Sequence, residues 1–226
     1  MEQLKKYELV QSDTVRTFNR TTLYRVRALR DFADVTAGDF GGYVQSADNL
    51  SHSGNAWVFG NAQVYGDALV YGNAQVYGNT QVYGNAQVYG NARVSGDTLV
   101  YGNAQVYGNT QVYEDALVSG NAQVYGNTQV YRGALVYGNA RVSGNAQVRF
   151  GATSLAPVAV SGGRYACTML PGVGASIGCQ DFLPEHLTST EVFRAECDKR
   201  GYLVTAEESA LIRALWCVAE VTYANS

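Results

Sequence analysis

Valine recurs at every sixth position through the middle of the chain. The series runs from Val58 to Val148 without a miss, which makes sixteen positions. Two residues before each valine stands Ala or Thr, and the residues on either side of it are mostly Gln and Tyr. Because side chains alternate along a strand, Ala and Val point to one face while Gln and Tyr point to the other. The pattern predicts a long series of short strands, each with one apolar and one polar face.

Each predicted strand ends in a corner of two residues. From Val58 to Val142, the second residue after valine is Gly except at Glu114 and Arg132, and the next is Asn or Asp except at Gly133. Gly and Asn tolerate the positive φ that a sharp corner requires. Four strand residues followed by two corner residues predict a coil whose sides are short parallel strands, each paired with the coil above.

A near-duplication indicates how many sides a coil has. Residues 96–113 match residues 114–131 at fifteen of eighteen positions, and residues 132–149 continue the same unit. A copy of eighteen residues adds one complete three-sided coil and preserves the stacking, so we expect residues eighteen apart to lie over one another. Five such coils extend about 24 Å at about 4.8 Å per coil. One corner would then carry an asparagine ladder: Asn55, Asn73, Asn91, Asn109, Asn127 and Asn145.

The unit in residues 54–149 resembles the hexapeptide-repeat left-handed β-helix superfamily, and within it the YdcK-like branch. The segment from Thr22 to Phe32, the Gly-Gly-Tyr-Val motif at 41–44 and the Ile-Gly-Cys motif at 177–179 are similar to that branch as well. The resemblance implies a mainly β fold, a left-handed, three-sided parallel β-helix. Handedness comes from the resemblance alone, since the periodicity does not set it and most parallel crossovers are right-handed.

Such a stack exposes strand edges at both ends, so terminal caps are expected. Residues 1–53 precede the helix at 54–149 and alternate like strands at Tyr7–Val10 and Leu23–Leu29. We therefore predict a β-rich N-terminal cap.

Residues 150–226 have a different composition and contain no further rungs. Thr188 with Glu191, and Thr205 with Glu208, match the capping box that opens a helix. The sequence thus predicts a C-terminal cap with two α-helices.

Charge and cysteine usage narrow the range of partners. The net charge is −3, and residues 54–148 hold only three basic side chains (Arg93, Arg132 and Arg141), too few to bind nucleic acid phosphates. No apolar run has the length of a membrane span, and the N-terminus lacks a signal-peptide pattern. The cysteines show no metal-binding spacing: Cys167, Cys179, Cys197 and Cys217. We expect a cytoplasmic protein without metal or cofactor, bound neither to membrane nor to nucleic acid.

Histidine is scarce, which limits the enzymatic chemistry that the resemblance implies. Acyltransferases of the superfamily use a catalytic His at a trimer interface, and γ-type carbonic anhydrases bind zinc with three His. This chain has His52 and His186 only, neither in a rung. The sequence therefore argues against an anhydrase and offers no catalytic constellation. His52 is the one candidate base for acyl transfer from acyl-CoA, and a hydrogen-bonded structural histidine is the alternative interpretation.

One predicted face is more apolar than the others. Its outward positions at eighteen-residue spacing are Leu99, Leu117 and Leu135, with Tyr101 and Tyr137 beside them. At the adjoining corner, Glu114 and Arg132 are one coil apart and can pair. An exposed apolar strip often marks a contact surface, so we predict an interface for a second copy or another protein. The alternative is that leucine is simply a good strand residue that duplication copied.

Three functions remain open at this point. The first is a non-catalytic structural or interaction scaffold that contacts partners through the leucine-bearing face. The second is an acyltransferase that depends on His52 and binds coenzyme A compounds. The third is a small-ligand or glycan binder that uses the stacked tyrosines. The first is favoured because the repeats offer shape and stacking but no acid, base, nucleophile or metal ligand.

Overall fold

The computed structural model describes residues 5–148 throughout. Beyond them it describes the backbone of five short strands, at 152–153, 158–160, 167–170, 174–177 and 180–182, together with the helical residues Ala195 and Cys197. Within these residues the fold is mainly β, as predicted, and its centre is a parallel β-solenoid.

The solenoid has three faces, each a parallel sheet of two-residue strands. The leucine face consists of Gln63–Val64, Gln81–Val82, Leu99–Val100, Leu117–Val118, Leu135–Val136 and Ala152–Thr153. The second face consists of Leu69–Val70, Gln87–Val88, Gln105–Val106, Gln123–Val124 and Arg141–Val142. The third face consists of Trp57–Val58, Gln75–Val76, Arg93–Val94, Gln111–Val112, Gln129–Val130 and Gln147–Val148.

The pairing registers confirm a coil of eighteen residues. Val82 pairs with Val100 and Val100 with Val118, and all three side chains are fully buried. Every valine of the series has no exposed surface, with the Ala and Thr positions packed beside it. The interior is thus a continuous apolar column, and the three-sided parallel solenoid is confirmed. Its left-handed winding stays a prediction from the family resemblance.

The corners show why glycine is needed. At Gly120 φ is +68°, and an added Cβ would lie 2.8 Å from the backbone nitrogen of Gly138 in the next coil. At Gly60 φ is +60°, but the nearest neighbouring atom to such a Cβ is 3.9 Å away. Backbone conformation therefore selects glycine at both corners, and at Gly120 coil-to-coil contact selects it again.

Asparagine ladders run along two of the three corners. In the predicted ladder each amide donates to the next, from Asn73 through Asn91, Asn109 and Asn127 to Asn145, over 2.9–3.1 Å. The prediction also included Asn55, which precedes this bonded run. A second ladder links Asn85, Asn103, Asn121 and Asn139. The third corner, which leads into the leucine face, has a single such bond, from Asn79 to Asp97, within the described solenoid.

Three strands form the N-terminal cap and extend the leucine face beyond the coil. These are β1 (Tyr7–Arg16), β2 (Thr22–Ala28) and β3 (Phe40–Val44). β1 pairs antiparallel with β2 and β2 with β3, and β3 then joins the solenoid in parallel through Val44 and Val64. A 3₁₀ helix, Ala47–Asn49, and an isolated bridge from Leu50 to Val70 follow. The Gly-Gly-Tyr-Val motif is therefore already a rung of the stack.

Close packing explains the glycines of that motif. An added Cβ at Gly42 would lie 2.4 Å from the carbonyl oxygen of Ala62 and 2.6 Å from the side chain of Val58. At Gly41 it would lie 2.5 Å from the side chain of Val26. The antiparallel cap can thus approach the parallel coil only where side chains are missing.

Two polar side chains of the cap complete the hydrogen bonding of the first coil. The carbonyls at the Ala and Val positions of a coil accept bonds from the preceding coil, which the first regular coil has only in part. Lys6 Nζ donates to the carbonyl of Ala56 over 2.7 Å, and Asn49 Nδ2 donates to that of Ala68 over 2.8 Å. Both residues are buried. They replace the missing backbone donors, which keeps buried carbonyls satisfied.

The C-terminal part differs from expectation in two respects. Ala152–Thr153 adds a parallel strand to the leucine face, although no rung was expected after residue 149. Strands Val158–Val160, Cys167–Leu170, Gly174–Ile177 and Gln180–Phe182 form an antiparallel sheet that the sequence pattern did not predict. The two predicted helices lie outside the described residues, except that Ala195 and Cys197 are helical and Cys197 is buried. In the part of the chain that the structure describes, no helix is long and apolar enough to cross a membrane.

Candidate functional site

The leucine column lies on one face, as the sequence predicts. Leu99 pairs with Leu117, and Leu117 with Leu135, in register along the parallel sheet. The first two side chains are half-buried, and Leu135 is 37% exposed. The strip is therefore partly accessible along its length and most open at the coil of Leu135.

Tyrosines flank the leucines on the same face. The rings of Tyr65, Tyr83 and Tyr101 stack in parallel with centroids 5.0 Å apart. Ser119 interrupts this column and is only 6% exposed, while Tyr137 beyond it is 40% exposed. Tyr137 and Leu135 thus form the most open apolar part of the leucine face.

The corner beside this face has residues other than glycine at two of its turns. Glu114 and Arg132 occupy the position that glycine takes in other corners, and they adopt its conformation, with φ of 52° and 55°. Asp115 also has a positive φ, of 61°. A left-handed conformation costs a residue with a Cβ about 1–2 kcal/mol. Three strained residues are therefore concentrated along one edge of the leucine face.

The predicted pairing across this corner is present but loose. Glu114 Oε2 and Arg132 Nε are 3.8 Å apart, and both side chains are more than half exposed. An exposed pair of this kind contributes about 0–1 kcal/mol. The pair therefore does not offset the backbone strain of the two residues that form it.

His52 occupies a structural position at the junction of cap and coil. Its Nδ1 accepts a hydrogen bond from the backbone N–H of Lys6 over 3.2 Å, and its ring stacks on Tyr7 at 4.2 Å. Burial, and next the charge of Lys6, lower the pKa of His52 below its ordinary value. These contacts agree with the hydrogen-bonded alternative, while His186 lies outside the described residues.

Lys6 is a buried cationic side chain whose burial was not predicted from the sequence. It is fully buried, with Nζ 5.0 Å from the ring centroid of Phe32. Burial, and next the charge of Arg30, lower its pKa to about 8. Nothing in a lysine-rich N-terminus distinguishes the one lysine that turns inward, so no sequence signal could have found it.

The outward tyrosines form the ladders that the sequence suggested. On the second face Tyr71, Tyr89, Tyr107 and Tyr125 stack with centroids 4.7–5.0 Å apart. On the third face Tyr113 stacks on Tyr131 at 5.0 Å, whereas Tyr77 meets Phe59 edge-on at 6.4 Å. Between Tyr77 and Tyr113 the column contains Ser95, and a cavity opens there. The sequence signal for this interruption is Ser95 itself, which stands where most rungs carry a tyrosine after valine.

A metal centre has no ligand set among the described residues, where no three His, Cys, Asp or Glu side chains converge. Polar chemistry on the solenoid surface is instead supplied by amides, phenols and a few charges at the corners. Such groups suit binding through shape and hydrogen bonds.

Comparison with known proteins agrees with this architecture. The family model described as the YdcK beta solenoid repeat matches residues 62–78, 86–102, 110–126 and 134–149. No curated protein matches the chain. The four matches fall on the strands and corners of the coils, so the repeated part of this chain is a parallel β-solenoid similar to the YdcK beta solenoid repeat.

Proposed function

We propose that this chain is a non-catalytic scaffold that associates with a second copy of itself through the leucine face. The observation that carries the proposal is the corner of Glu114 and Arg132. Two residues with positive φ replace glycine there, their strain is not offset by their own ion pair, and they adjoin the most apolar outward column. Backbone strain of this kind clusters at functional sites, and the function that we assign to this corner is contact with a second copy.

Charge complementarity favours a second copy over an unrelated protein. A two-fold axis lying in the contact plane and perpendicular to the solenoid axis would bring two leucine faces together in antiparallel orientation. The charged corners of both copies would then meet along one edge, with Glu114 of each copy opposite Arg132 of the other. Such isologous contacts are self-complementary by symmetry. The same arrangement would cover Leu117 and Leu135.

The leucines would supply most of the binding energy. Full burial of one leucine side chain stabilises by roughly 1.5–3 kcal/mol. These leucines are already half-buried in the monomer, so each gains less, and a weak to moderate dimer follows. The charges would mainly select the orientation.

The first experiment compares Leu117→Asp with Gln123→Asp. Both change a half-buried outward residue in a two-residue strand, on the leucine face and the second face respectively. We expect the wild type and Gln123→Asp to have the same mass by light scattering over a concentration series, and Leu117→Asp to shift towards the monomer. Equal melting temperatures of the two variants would exclude unfolding as the cause. A wild type that stays monomeric, or a Leu117→Asp variant that assembles like it, would refute the proposal.

A charge exchange tests the antiparallel arrangement. Glu114→Arg places two arginines opposite each other in the proposed dimer, and Arg132→Glu places two acids there. Each single change should weaken association, and the double change should restore it. Additive losses in the double variant would contradict the arrangement.

A further inference from the structure

The third face carries an interrupted aromatic column. The residues that follow its valines from Val58 to Val130 are Phe59, Tyr77, Ser95, Tyr113 and Tyr131. Elsewhere on the solenoid, tyrosines in neighbouring coils stack with centroids 4.7–5.0 Å apart. Two such steps separate Tyr77 from Tyr113 by about 10 Å, so one further ring would reach stacking distance from both.

A cavity of about 170 Å³ occupies this position. It is lined by Tyr77, Arg93, Ser95, Gln111 and Tyr113, and we call it the aromatic gap. Tyr113 is supported on its far side by parallel stacking on Tyr131, with an angle of 6° between the rings. The half-buried Ser95 forms the floor, because a serine side chain stands where the neighbouring coils carry a full ring.

The serines that interrupt the tyrosine columns of the third face and the leucine face differ in exposure. On the leucine face Ser119 separates Tyr101 from Tyr137 in the same way, yet it is only 6% exposed. The residue two positions before Ser119 is Leu117, whereas the residue two positions before Ser95 is Arg93. The exposed Arg93 and the aromatic gap therefore occur together on the third face.

The charge of Arg93 is available to a ligand. Arg93 is exposed, and within residues 5–148 it forms no ion pair with a carboxylate. Its register partners in the adjoining coils are the neutral Gln75 and Gln111. Glu114, which follows Tyr113, faces Arg132 at 3.8 Å. A guanidinium group is well suited to bind a carboxylate through two parallel hydrogen bonds.

We propose that the aromatic gap binds one planar aromatic ring that carries a carboxylate. The ring lies over Ser95 between Tyr77 and Tyr113, the carboxylate meets the guanidinium of Arg93, and the amide of Gln111 offers a further donor. The ligand thereby completes the column that the serine interrupts. The site lies on the third face and does not depend on association through the leucine face.

The experiment uses 4-hydroxybenzoate and its neutral counterpart 4-hydroxybenzamide as probes, each titrated into the full chain and followed by ligand-observed NMR and calorimetry. Ser95→Tyr fills the gap with the residue that most rungs carry at this position. Arg93→Gln installs the residue found in the coils on both sides. The matched controls are Ser119→Tyr on the leucine face and Arg141→Gln on the second face, which leave the gap unchanged.

We expect the wild type and both controls to bind 4-hydroxybenzoate with the same affinity, and 4-hydroxybenzamide at least tenfold more weakly. Ser95→Tyr should lose binding of both probes, and Arg93→Gln should bind the benzoate no better than the benzamide. Unchanged binding in Ser95→Tyr, or equal losses in the control variants, would overturn the proposal. So would a wild type that binds neither probe at millimolar concentration. If Ser95→Tyr fails to fold, the comparison of probes in Arg93→Gln decides alone.

Discussion

Single residues in this chain are constrained mainly by the contact between consecutive coils. A glycine at a corner has to adopt a positive φ and, at most corners, has to let the backbone of the next coil approach within about 3 Å of where a Cβ would stand. The two requirements can be separated, since some corners impose only the first.

Gly120→Ala and Gly60→Ala form a pair that separates them. Both should destabilise through the positive φ, by about 1–2 kcal/mol. Gly120→Ala should cost at least about 1 kcal/mol more, because its Cβ would lie 2.8 Å from the backbone of Gly138. Urea unfolding of the two variants measures the difference. Equal losses would mean that coils separate freely at the corner and that only conformation selects glycine.

Lys6 makes a residue-scale prediction about pH. Its pKa is about 8 in the folded chain against an ordinary value of 10.5, so the unfolded chain binds more protons between these values. Stability from this group should therefore rise between pH 8 and pH 10.5, by roughly 2–3 kcal/mol. Lys6→Met should be less stable at high pH, because it loses the bond to Ala56, but its stability should lack this rise.

The measurement is the free energy of unfolding of wild type and Lys6→Met from pH 7 to pH 10. Lys5→Met is the control, because Lys5 is exposed. Parallel pH profiles for wild type and Lys6→Met would show that the ammonium is not desolvated at the end of the coil.

At the scale of the element, the stacked tyrosines should make the stability of the solenoid fall at high pH, whereas Lys6 should make it rise. Burial, and next the neighbouring Tyr83, raise the pKa of Tyr65 to about 12. Burial also raises the pKa of Tyr71, Tyr83 and Tyr89. A phenol whose pKa is higher in the folded chain stabilises it fully below the unfolded value near 10, and loses that contribution as the pH rises further.

We therefore expect the solenoid to lose stability above pH 10, with Tyr65 accounting for up to about 2 kcal/mol by pH 12. Tyr65→Phe removes the ionisable group together with the hydrogen bond to Gln81 Oε1. Its stability should be lower at neutral pH and should fall less steeply above pH 10. Thermal melting from pH 8 to pH 11.5 tests this, and equally steep curves for both proteins would contradict it.

The sequence predicted those parts of the fold that repeat. Valine spacing gave the buried column, Gly-Asn gave the corners, and a duplication of eighteen residues gave the three faces with Leu99, Leu117 and Leu135 in register. Each inference rests on strict alternation and on conformations that few residues tolerate. The same spacing predicted that the three leucines share one face, which the pairing registers confirm.

The parts that occur once could not be read in this way. The burial of Lys6 and Asn49 depends on where the first coil lacks donors, which a one-dimensional pattern does not contain. The aromatic gap depends on which residues lie eighteen positions apart around Ser95, and on a side chain leaving space open. The antiparallel strands after residue 157 are short and lack strict alternation, so helix signals further along dominated the prediction.

At the scale of the whole molecule, two periods coexist. The matches to the repeat model begin at residues 62, 86, 110 and 134, a spacing of four hexapeptides, whereas a coil contains three. Equivalent positions therefore advance by one face per repeat. Ser95, Ser119 and Ser143 follow this spacing and fall on the third, leucine and second faces in turn. Equivalent residues of successive repeats thus lie on different faces of the solenoid.

Deletions of different length can show whether folding depends on which residues share a face. Removal of residues 96–113 takes out one coil and leaves Leu117 and Leu135 on the leucine face. Removal of residues 120–125 keeps the hexapeptide pattern but turns everything after it by one face, which separates Leu117 from Leu135 and Glu114 from Arg132. We expect both variants to fold with β circular dichroism and a cooperative melt.

Self-association should survive the first deletion and weaken in the second, as measured by sedimentation. Loss of folding in both would contradict the view that rungs are interchangeable. Equal association in both would leave the solenoid intact but argue against the leucine face.

The closed N-terminal end has a consequence for how copies of this chain can meet. Lys6 and Asn49 occupy the carbonyls on which an incoming strand would otherwise begin to pair. The outer strand β1 is irregular between Val10 and Thr14 and carries a polar run there, features that discourage edge pairing. These features oppose head-to-tail stacking of copies at this end. An incoming strand therefore meets two carbonyls that are already bonded and an irregular edge strand, instead of a regular rung to pair with.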